Sequence, residues 1–371
     1  MNENSAWMDL DFPDSEEGLA PNRREFLKQV GGGIVILFLA GNEGNAQERQ
    51  RGGGQGLPDD FNAFLKIGED GRVACYTGKV EMGQGVVTSL AQMLADELDV
   101  SLDSVDMVLG DTSLCPYDGG THGSRTTRFF GPPLRAAAAE ARGVLLELAA
   151  ERLKIPQDRL LVKEGVIFDS SDNQKKVTYA ELTQGKTIAR RLKVKAVLKS
   201  ASEFKIIGKS ALRTDALEKV TGKAKFAADI QLPGMWYAKL LRPPAHGAQL
   251  RTLDTSPAEK VEGVRVVRDG DFVAVLAKDP ALAERGVKLI RAQYDVPEAQ
   301  VDEQTIFEYL LQNASAGETA AEGGDLADGE KQSSIVVEKT YLNGYVAHAP
   351  IEPHSTTVQI EGDRATVWCS T

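Results

Sequence analysis

The chain has 371 residues, of which 42% are hydrophobic and 26% charged, a composition typical of a globular protein large enough for two or three domains. Its formal net charge is −11, which argues against a nucleic-acid-binding surface. The three cysteines, Cys75, Cys115 and Cys369, are far apart, so the chain carries no iron–sulfur or zinc signature and no disulfide framework. Any iron–sulfur electron carrier is therefore expected on another chain.

The first feature in chain order is a pair of arginines ahead of a short apolar run. Arg23-Arg24 is followed by Phe26-Leu27-Lys28, and residues 30–41 are apolar but too few to span a bilayer. This pattern predicts a twin-arginine export signal within residues 1–46. Such a signal carries folded proteins and predicts a periplasmic location or the periplasmic face of the inner membrane.

The alternative is a buried helix that follows two arginines by chance. Three consecutive glycines, residues 31–33, disfavour it because each would weaken a helix by about 1 kcal/mol relative to alanine. Small residues at 44–46 supply plausible cleavage positions for the export signal.

A polar, glycine-rich linker at 47–58 precedes the first globular segment, residues 59–185. Hydrophobic periodicity predicts its elements. They are strands at 73–77 and 105–109, helices at 87–98 and 134–153, and a hairpin at 161–168.

A charged linker at 186–204 leads to a second small α+β segment at 205–298. The predicted elements there are strands at 237–241, 264–267 and 272–277 and a helix at 280–292. Residues 299–333 form a connecting segment whose polar, acidic part, 313–333, is predicted to be a mobile loop. Strand-like sequence resumes at Ser334.

The turn before the first helix is Gly83-Gln84-Gly85. Glycines let the backbone approach a ligand closely, and a helix start offers unpaired N–H donors that suit an anion. The Gln84 amide adds a donor and an acceptor, and Thr88 could cap the helix or contact the same ligand. The alternative is a plain turn between a strand and a helix.

A second loop, Gly119-Gly-Thr-His-Gly-Ser-Arg-Thr-Thr127, combines glycines, hydroxyl groups and one arginine ahead of the second helix. Such a loop can surround a phosphate, although a solvated loop explains the same composition. Two loops of this kind suit one elongated phosphate-bearing ligand. Neither has the spacing of a P-loop or of a dinucleotide fingerprint.

Near the C-terminus, His348-Ala-Pro-Ile-Glu-Pro-His354 brings two histidines and a glutamate close in sequence. The prolines prevent the helix that a His-Glu-x-x-His zinc site requires, so a structural or pocket-lining segment is favoured over a metal site.

Together these residues resemble the molybdenum-binding large subunits of the xanthine dehydrogenase/aldehyde oxidase family, specifically the branch of isoquinoline 1-oxidoreductase beta subunits and nicotinate dehydrogenase large subunits. The matching motifs are Glu81-Met-Gly-Gln-Gly85, Ala95-Asp-Glu-Leu98, Gly120-Thr-His-Gly-Ser124, RTDALEKVTGKA at 213–224, Asp229-Ile-Gln-Leu-Pro-Gly234, Arg242-Pro-Pro244 and Ala347-His-Ala-Pro-Ile-Glu-Pro353. The resemblance implies an α+β fold in which part of a molybdopterin-binding domain, 59–185, precedes an aldehyde oxidase/xanthine dehydrogenase a/b hammerhead-like domain, 205–298.

The implied cofactor is molybdenum bound to molybdopterin cytosine dinucleotide. The cofactor-binding residues carried over from the family are Gly83, Gln84, Gly85, Thr121, Gly123 and Ser124, the last three near its phosphate end. The implied reaction oxidises an N-heterocyclic aromatic or an aldehyde with water as the oxygen source. Electrons would pass to an iron–sulfur small subunit with [2Fe–2S] clusters, and a cytochrome c is a further candidate acceptor.

In the family the base glutamate lies far towards the C-terminus, so the resemblance assigns no catalytic residue here and gives no ground for assigning that role to Glu81 or Glu352. Residues 334–371 would begin a further molybdenum-binding domain, truncated in this chain. The chain is thus expected to be the N-terminal portion of an exported molybdenum hydroxylase subunit, inactive without the missing part. The alternatives are a non-catalytic cofactor-binding or assembly module and an inactive truncated product.

Overall fold

The computed structural model describes residues 31–39, 61–192, 197–317, 319, 321–347 and 349–370. The chain divides into two compact units, one extending to Lys225 and the other covering Phe226–Ser370. Arg23-Arg24, the predicted linker at 47–58 and His348 lie outside the described residues. Among the helices that the structure describes, none has the length and apolar character needed to cross a membrane.

The first unit contains a mixed sheet, two long helices and a smaller sheet. Its elements in chain order are β1 (Gly33–Phe38), β2 (Ala63–Ile67), β3 (Val73–Thr77), α1 (Val86–Leu98), β4 (Val105–Leu109), α2 (Gly131–Leu153), β5 (Leu160–Lys163), β6 (Val166–Asp169), β7 (Asp172–Thr178), α3 (Tyr179–Thr183), β8 (Thr187–Arg191) and α4 (Ala216–Val220). The larger sheet has the order β4-β3-β2-β1-β8, with β1 antiparallel to β2 and parallel to β8.

Helices α1 and α2 pack against each other, and their apolar faces cover one face of the sheet. The apolar residues of α1 recur at helical spacing, which explains why Leu90, Leu94 and Leu98 are fully buried. Helix α2 begins with prolines in its first turn, where a missing N–H costs nothing. The predictions for these two helices and for the strands at 73–77 and 105–109 are confirmed.

The smaller sheet, β5-β6-β7, is the predicted hairpin extended by a third strand. It is fastened to α1 by Tyr179, whose hydroxyl donates to the carbonyl of Leu98 at 2.7 Å and whose side chain is buried. Burial raises the pKa of Tyr179 well above its usual range, so this phenol stays protonated as a donor.

The apolar run assigned to the export signal contains β1, an inner strand of the larger sheet. All six of its residues are buried. The boundary that separated residues 1–46 from the first domain is therefore wrong for Gly33–Phe38. The alternative of a buried helix placed the run correctly in the interior, but it forms a strand, consistent with its short length and its β-branched residues.

Two further boundaries differ from prediction. Residues 187–191, assigned to a linker, form β8 at the edge of the sheet. Residues 205–225, assigned to the second domain, belong to the first unit because buried Asp96 accepts hydrogen bonds from the backbone N–H groups of residues 205–207.

The second unit is also a mixture of helices and strands. Its elements are β9 (Tyr237–Leu240), β10 (Gln249–Asp254), α5 (Ser256–Glu259), β11 (Val264–Asp269), β12 (Phe272–Ala277), α6 (Pro280–Leu289), β13 (Arg291–Asp295), α7 (Ile306–Asn313), α8 (Leu326–Gln332), β14 (Thr356–Glu361) and β15 (Arg364–Cys369). A three-stranded antiparallel sheet, β11-β12-β9, carries α6, and β10 pairs with β13.

The core of this unit is small and includes Val273, Val275 and Ile290. Gly286 lets α6 approach the sheet, because a Cβ there would lie 2.6 Å from the Val275 side chain. The predicted helix at 280–292 ends earlier, at Leu289, and its last residues enter β13. Helix α8, capped by the Asp325 side chain, forms within the segment predicted as a loop. Residues 334–347 form no strand, and pairing resumes only with the β14–β15 hairpin.

Candidate functional site

The first glycine loop lies between β3 and α1, and its backbone donors are held by Glu81. Oε1 of Glu81 accepts from the N–H of Gly83 at 2.8 Å and of Gly85 at 2.9 Å, and Oε2 accepts from the N–H of Val87 at 3.1 Å. The expectation that these N–H groups are free for an external anion is wrong, because the chain supplies its own carboxylate to the helix start.

These contacts determine the ionisation of Glu81. Partial burial alone would raise the pKa, but the N–H groups of Gly85, Val87 and Gly83 and the charge of Arg213 together hold the Glu81 pKa below its usual range. A carboxylate with a lowered pKa and both oxygens engaged is a poor general base. The structure therefore assigns Glu81 an organising role in this loop.

Gln84 folds back onto its own loop. Its Oε1 accepts from the N–H of Met82 at 2.5 Å, and its Nε2 donates to the carbonyl of Val80 at 3.0 Å. One amide N–H and one acceptor position remain, since the group carries two protons and two lone pairs on oxygen. Gly83 is open, because no described atom outside Gly83 and its two chain neighbours lies within 4 Å of the position a Cβ would take.

Arg213, from the motif at 213–224, contacts this loop from a distant part of the chain. Its Nη1 donates to the carbonyl of Gly83 at 2.8 Å, and its Nη2 lies 3.3 Å from Oε1 of Glu81. Asp215 accepts from the same guanidinium at 2.9 and 2.8 Å. The hydrogen bonds and charge of Arg213 lower the pKa of Asp215 well below its usual range, so the pair is ionised at neutral pH.

Thr88 joins helix α1 to the segment that carries Arg213. It is buried, and its Oγ1 accepts from the backbone N–H of Thr214 at 2.9 Å. The sequence offered Thr88 as a contact and gave no role to Arg213 or Asp215. Their only signal was the motif at 213–224, since the contacts join residues about 130 positions apart.

The second loop carries Thr121, Gly123 and Ser124 and leads through a π-helical turn, Thr126–Phe130, into α2. Gly123 and Ser124 both have positive φ, at 61° and 56°, which is unusual for serine. His122, Ser124 and Arg125 are exposed. Strained backbone and a π-helical turn recur at functional sites, and here they present hydroxyl and guanidinium groups together.

The two loops lie side by side, although Val80 and Thr121 are 41 positions apart in sequence. The backbone N–H of Val80 donates to Oγ1 of Thr121 at 2.9 Å, and Nζ of Lys79 donates to the carbonyl of Gly120 at 2.6 Å. The side chain of Asp118 is 1% exposed and lies 3.3 Å from Nζ of Lys79. The two loops are therefore neighbours, and Thr121 is committed in part to holding them together.

The Ala95-Asp-Glu-Leu98 motif connects helix α1 to other parts of the first unit through its two carboxylates. Asp96 and Glu97 are both buried. Asp96 binds the backbone at 205–207, and Glu97 accepts from Nε of Arg135 at 2.8 Å and from the N–H of Lys199 at 3.3 Å. Both buried carboxylates are hydrogen-bonded, and Glu97 also forms an ion pair with Arg135, which offsets the cost of burying a charge.

The C-terminal motif contributes no described metal centre. Among the residues that the structure describes, no three His, Cys, Asp or Glu side chains come together in a way that could hold a metal ion. Glu352 is half-buried and His354 exposed, both ahead of β14 in the second unit.

Comparison with known proteins identifies the class of domain to which this chain belongs. The chain matches the molybdopterin cofactor-binding domain family over residues 11–220 and belongs to it. The family resemblance and the α+β fold class predicted from the motifs are confirmed.

Among its relatives is a nicotinate dehydrogenase subunit from Pseudomonas putida, 33% identical over 318 residues, which are 83% of this chain and 27% of that protein. The isoquinoline 1-oxidoreductase beta subunit from Brevundimonas diminuta is 28% identical over 97% of this chain and 53% of its own length. The chain thus spans between about a quarter and about half of these relatives. A solved CO dehydrogenase from Oligotropha carboxidovorans matches 33% of this chain and 15% of its own, with 30% identity and a TM-score of 0.31.

Proposed function

We propose that this chain carries a cofactor-binding part of a molybdenum hydroxylase large subunit, and that molybdenum–molybdopterin cytosine dinucleotide binds against the loops at 83–85 and 121–124. One observation carries this proposal. The two loops are fastened together by the Val80–Thr121 hydrogen bond and by Lys79, so that a single elongated ligand can reach both. The family match supplies the chemical class of that ligand.

The described residues fit this cofactor, with different parts suited to different loops. At the second loop, exposed Ser124 and Arg125 suit a phosphate, because hydroxyl and guanidinium groups both donate to its oxygens. At the first loop, Glu81 already holds the backbone donors, and a phosphate there would face its carboxylate. The first loop therefore suits the neutral pterin ring system, through open Gly83 and the remaining N–H of Gln84.

The bound cofactor would supply the redox chemistry, in which an oxygen from water replaces a hydrogen on an electron-poor carbon and the two electrons released pass to the acceptor subunit. The residues of this chain would bind and orient it. Glu81 and Arg213 fix the first loop, and Lys79 and Asp118 fix the second relative to it. Glu81 is not proposed as the general base, because its pKa is lowered and both its oxygens are engaged.

The substrate class we propose is a small N-heterocyclic aromatic, because two relatives are named for nicotinate and isoquinoline; an aldehyde is the second choice. The same relatives are named as subunits, which supports assembly with other chains. We propose an iron–sulfur subunit as the immediate electron acceptor and a cytochrome c beyond it. Export by the twin-arginine route stays a prediction.

A non-catalytic cofactor-binding module is the second candidate, favoured by the commitment of Glu81 to structure. It shares the cofactor site with the first proposal and differs only in turnover. The two are separated by whether the isolated complex reduces an artificial electron acceptor when given an N-heterocycle.

The test is to isolate the chain from cells that produce it, with the subunits that accompany it, and measure molybdenum, iron and cytidine monophosphate released by acid. We expect molybdenum and cytidine monophosphate in equal amounts, near one per chain, with iron on a separate subunit. A complex that contains neither molybdenum nor the nucleotide would overturn the proposed site.

A further inference from the structure

We propose that the apolar run assigned to an export signal stays in the mature protein as a core strand and is not removed by cleavage at residues 44–46. This inference stands apart from the proposed function and concerns how the chain matures. It rests on the place of β1 in the first unit.

Strand β1 is buried on both faces. Ile34, Ile36 and Phe38 face the main core beneath the two long helices, and the ring of Phe38 lies 5.9 Å from that of Phe130. Val35 and Leu37 belong to a second cluster with Phe61 and Phe64 on the other face. A strand covered on both sides has a continuous apolar sequence, and such a sequence resembles the apolar part of a signal.

Strand β1 is also hydrogen-bonded along both edges. It pairs antiparallel with β2 from Ile34 to Phe38 and parallel with β8 from Gly33 to Leu37. The N–H of Leu192 donates to the carbonyl of Leu37 at 2.9 Å, which extends the pairing beyond β8. Without β1, strand β8 would lose its partner in the sheet, and β2 would present an open edge.

The glycines ahead of the strand have a structural explanation. Gly33 has φ 120°, and a Cβ there would lie 2.1 Å from the carbonyl oxygen of Ile67. Only glycine allows the two backbones this close approach. An export signal has no need for a glycine at one fixed position, whereas this sheet does.

The family match is consistent with a retained strand, because it covers residues 11–220 and so spans residues 33–38. The paired arginines lie ahead of the strand and can still act as an export signal. The strand then remains with the protein in whichever compartment the protein is found.

The first experiment examines the intact protein. The full chain with a C-terminal affinity tag is produced in a bacterium that has the twin-arginine route, and cytoplasmic and periplasmic fractions are purified separately. Peptide mapping should recover residues 33–38 at full occupancy in every fraction that contains folded protein, with slow hydrogen exchange at the amides of Val35 and Leu37. Folded protein that begins after residue 41 would overturn the inference.

A matched pair of variants separates a strand from a signal. Ile36→Asp and Leu39→Asp place the same charge in the same apolar run, but Ile36 is fully buried in β1 and Leu39 is 46% exposed. If the run is a removable signal, both variants should reduce export equally and leave the mature protein unchanged. If the run is a core strand, the Ile36→Asp protein should lose its cooperative unfolding transition, whereas the Leu39→Asp protein should keep a near-normal Tm.

A third variant keeps the inference falsifiable if Ile36→Asp gives no soluble protein. Arg23→Lys combined with Arg24→Lys blocks twin-arginine recognition without touching the strand. We expect this protein to accumulate in the cytoplasm, folded, with residues 33–38 protected as in the parent. If residues 33–38 instead exchange freely in the folded cytoplasmic protein, the strand assignment fails.

Discussion

The guanidinium of Arg213 donates to the carbonyl of Gly83 at 2.8 Å and lies 3.3 Å from the carboxylate of Glu81, which in turn accepts from the backbone of the same loop. Two motifs far apart in the chain thus form one assembly. The outer motif, with Asp215 orienting the guanidinium, fixes the shape of the loop that is proposed to meet the pterin. This relationship gives the first prediction.

Arg213→Lys should weaken both the loop and cofactor retention. A lysine ammonium cannot reproduce the planar set of donors that reaches Gly83, Glu81 and Asp215 together. We expect the free energy of unfolding to fall by about 1–3 kcal/mol and the molybdenum content of the isolated complex to fall with it. The matched control is Arg152→Lys, an exposed ion pair with Glu181, expected to cost less than about 1 kcal/mol. Equal molybdenum content in the two variants would contradict the role of Arg213.

The second prediction concerns pH. The folded-state pKa of Glu81 lies below its ordinary value of 4.5, so its contribution to stability is complete above that value and is lost as pH falls through the folded-state pKa. Glu81→Gln should lower the free energy of unfolding by about 1–3 kcal/mol at pH 7. The difference from the parent should shrink below pH 4.5, because protonated glutamic acid resembles glutamine. Urea unfolding from pH 7 to pH 3 measures it. A difference independent of pH would show that Glu81 does not hold the loop as a carboxylate.

The third prediction concerns Gln84. Its amide closes the loop through Met82 and Val80 and leaves one N–H for a ligand. Gln84→Ala should leave the Tm of the chain within a few degrees of the parent and reduce molybdenum and cytidine monophosphate content severalfold. Gln174→Ala, an exposed position on β7, is the matched control and should change neither. Normal cofactor content in Gln84→Ala would refute the role given to this residue.

The fourth prediction concerns the thiols. Burial holds the pKa of Cys75 far above its usual range, and burial also raises the pKa of Cys115 to about 11. Since the thiolate is the reactive form, both should resist alkylation in the folded protein, whereas exposed Cys369 should react readily. Labelling with iodoacetamide at pH 7.5, followed by peptide mapping, measures the three rates. Labelling of Cys75 as fast as that of Cys369 in native protein would contradict the burial on which the sheet depends.

How far the sequence predicted this structure depends on how local each signal is. The helix α1 and the strand β3 follow from apolar spacing within a dozen residues, and both are predicted almost to the residue. Strand β1 is different, because the same apolar run is compatible with an export signal and with a strand buried on both faces. Only its pairing with β2 and β8 distinguishes the two.

The site shows the same division between local and distant signals. The two glycine loops could be predicted from their composition, but the sequence left their closeness in space as a hypothesis. That Glu81 would occupy the helix start was not predicted, although it lies in the same motif, because the sequence does not show which way a side chain folds. Arg213 was missed because its contacts are made about 130 positions away. Contacts of that separation have no periodic signature in a single sequence.

The last prediction tests how the two loops are joined. Lys79 and Asp118 have side chains that are only 10% and 1% exposed, and Asp118 also accepts from Oγ1 of Thr77 at 2.9 Å and from the N–H of Gly120 at 3.0 Å. Lys79→Met removes the positive partner and leaves a buried carboxylate uncompensated, so it should cost about 3–5 kcal/mol. Asp118→Asn alone leaves the ammonium buried and should cost a similar amount.

The double variant decides whether the pair itself joins the loops. If Lys79 and Asp118 compensate each other, the double variant should be less destabilised than the sum of the single variants by about 1–3 kcal/mol, measured as a double-mutant cycle in urea. It should nevertheless lose cofactor, because the donor to the Gly120 carbonyl is gone and the second loop can move away from the first. Additive stability losses, or a double variant that retains molybdenum fully, would mean that the loops are held together without this pair.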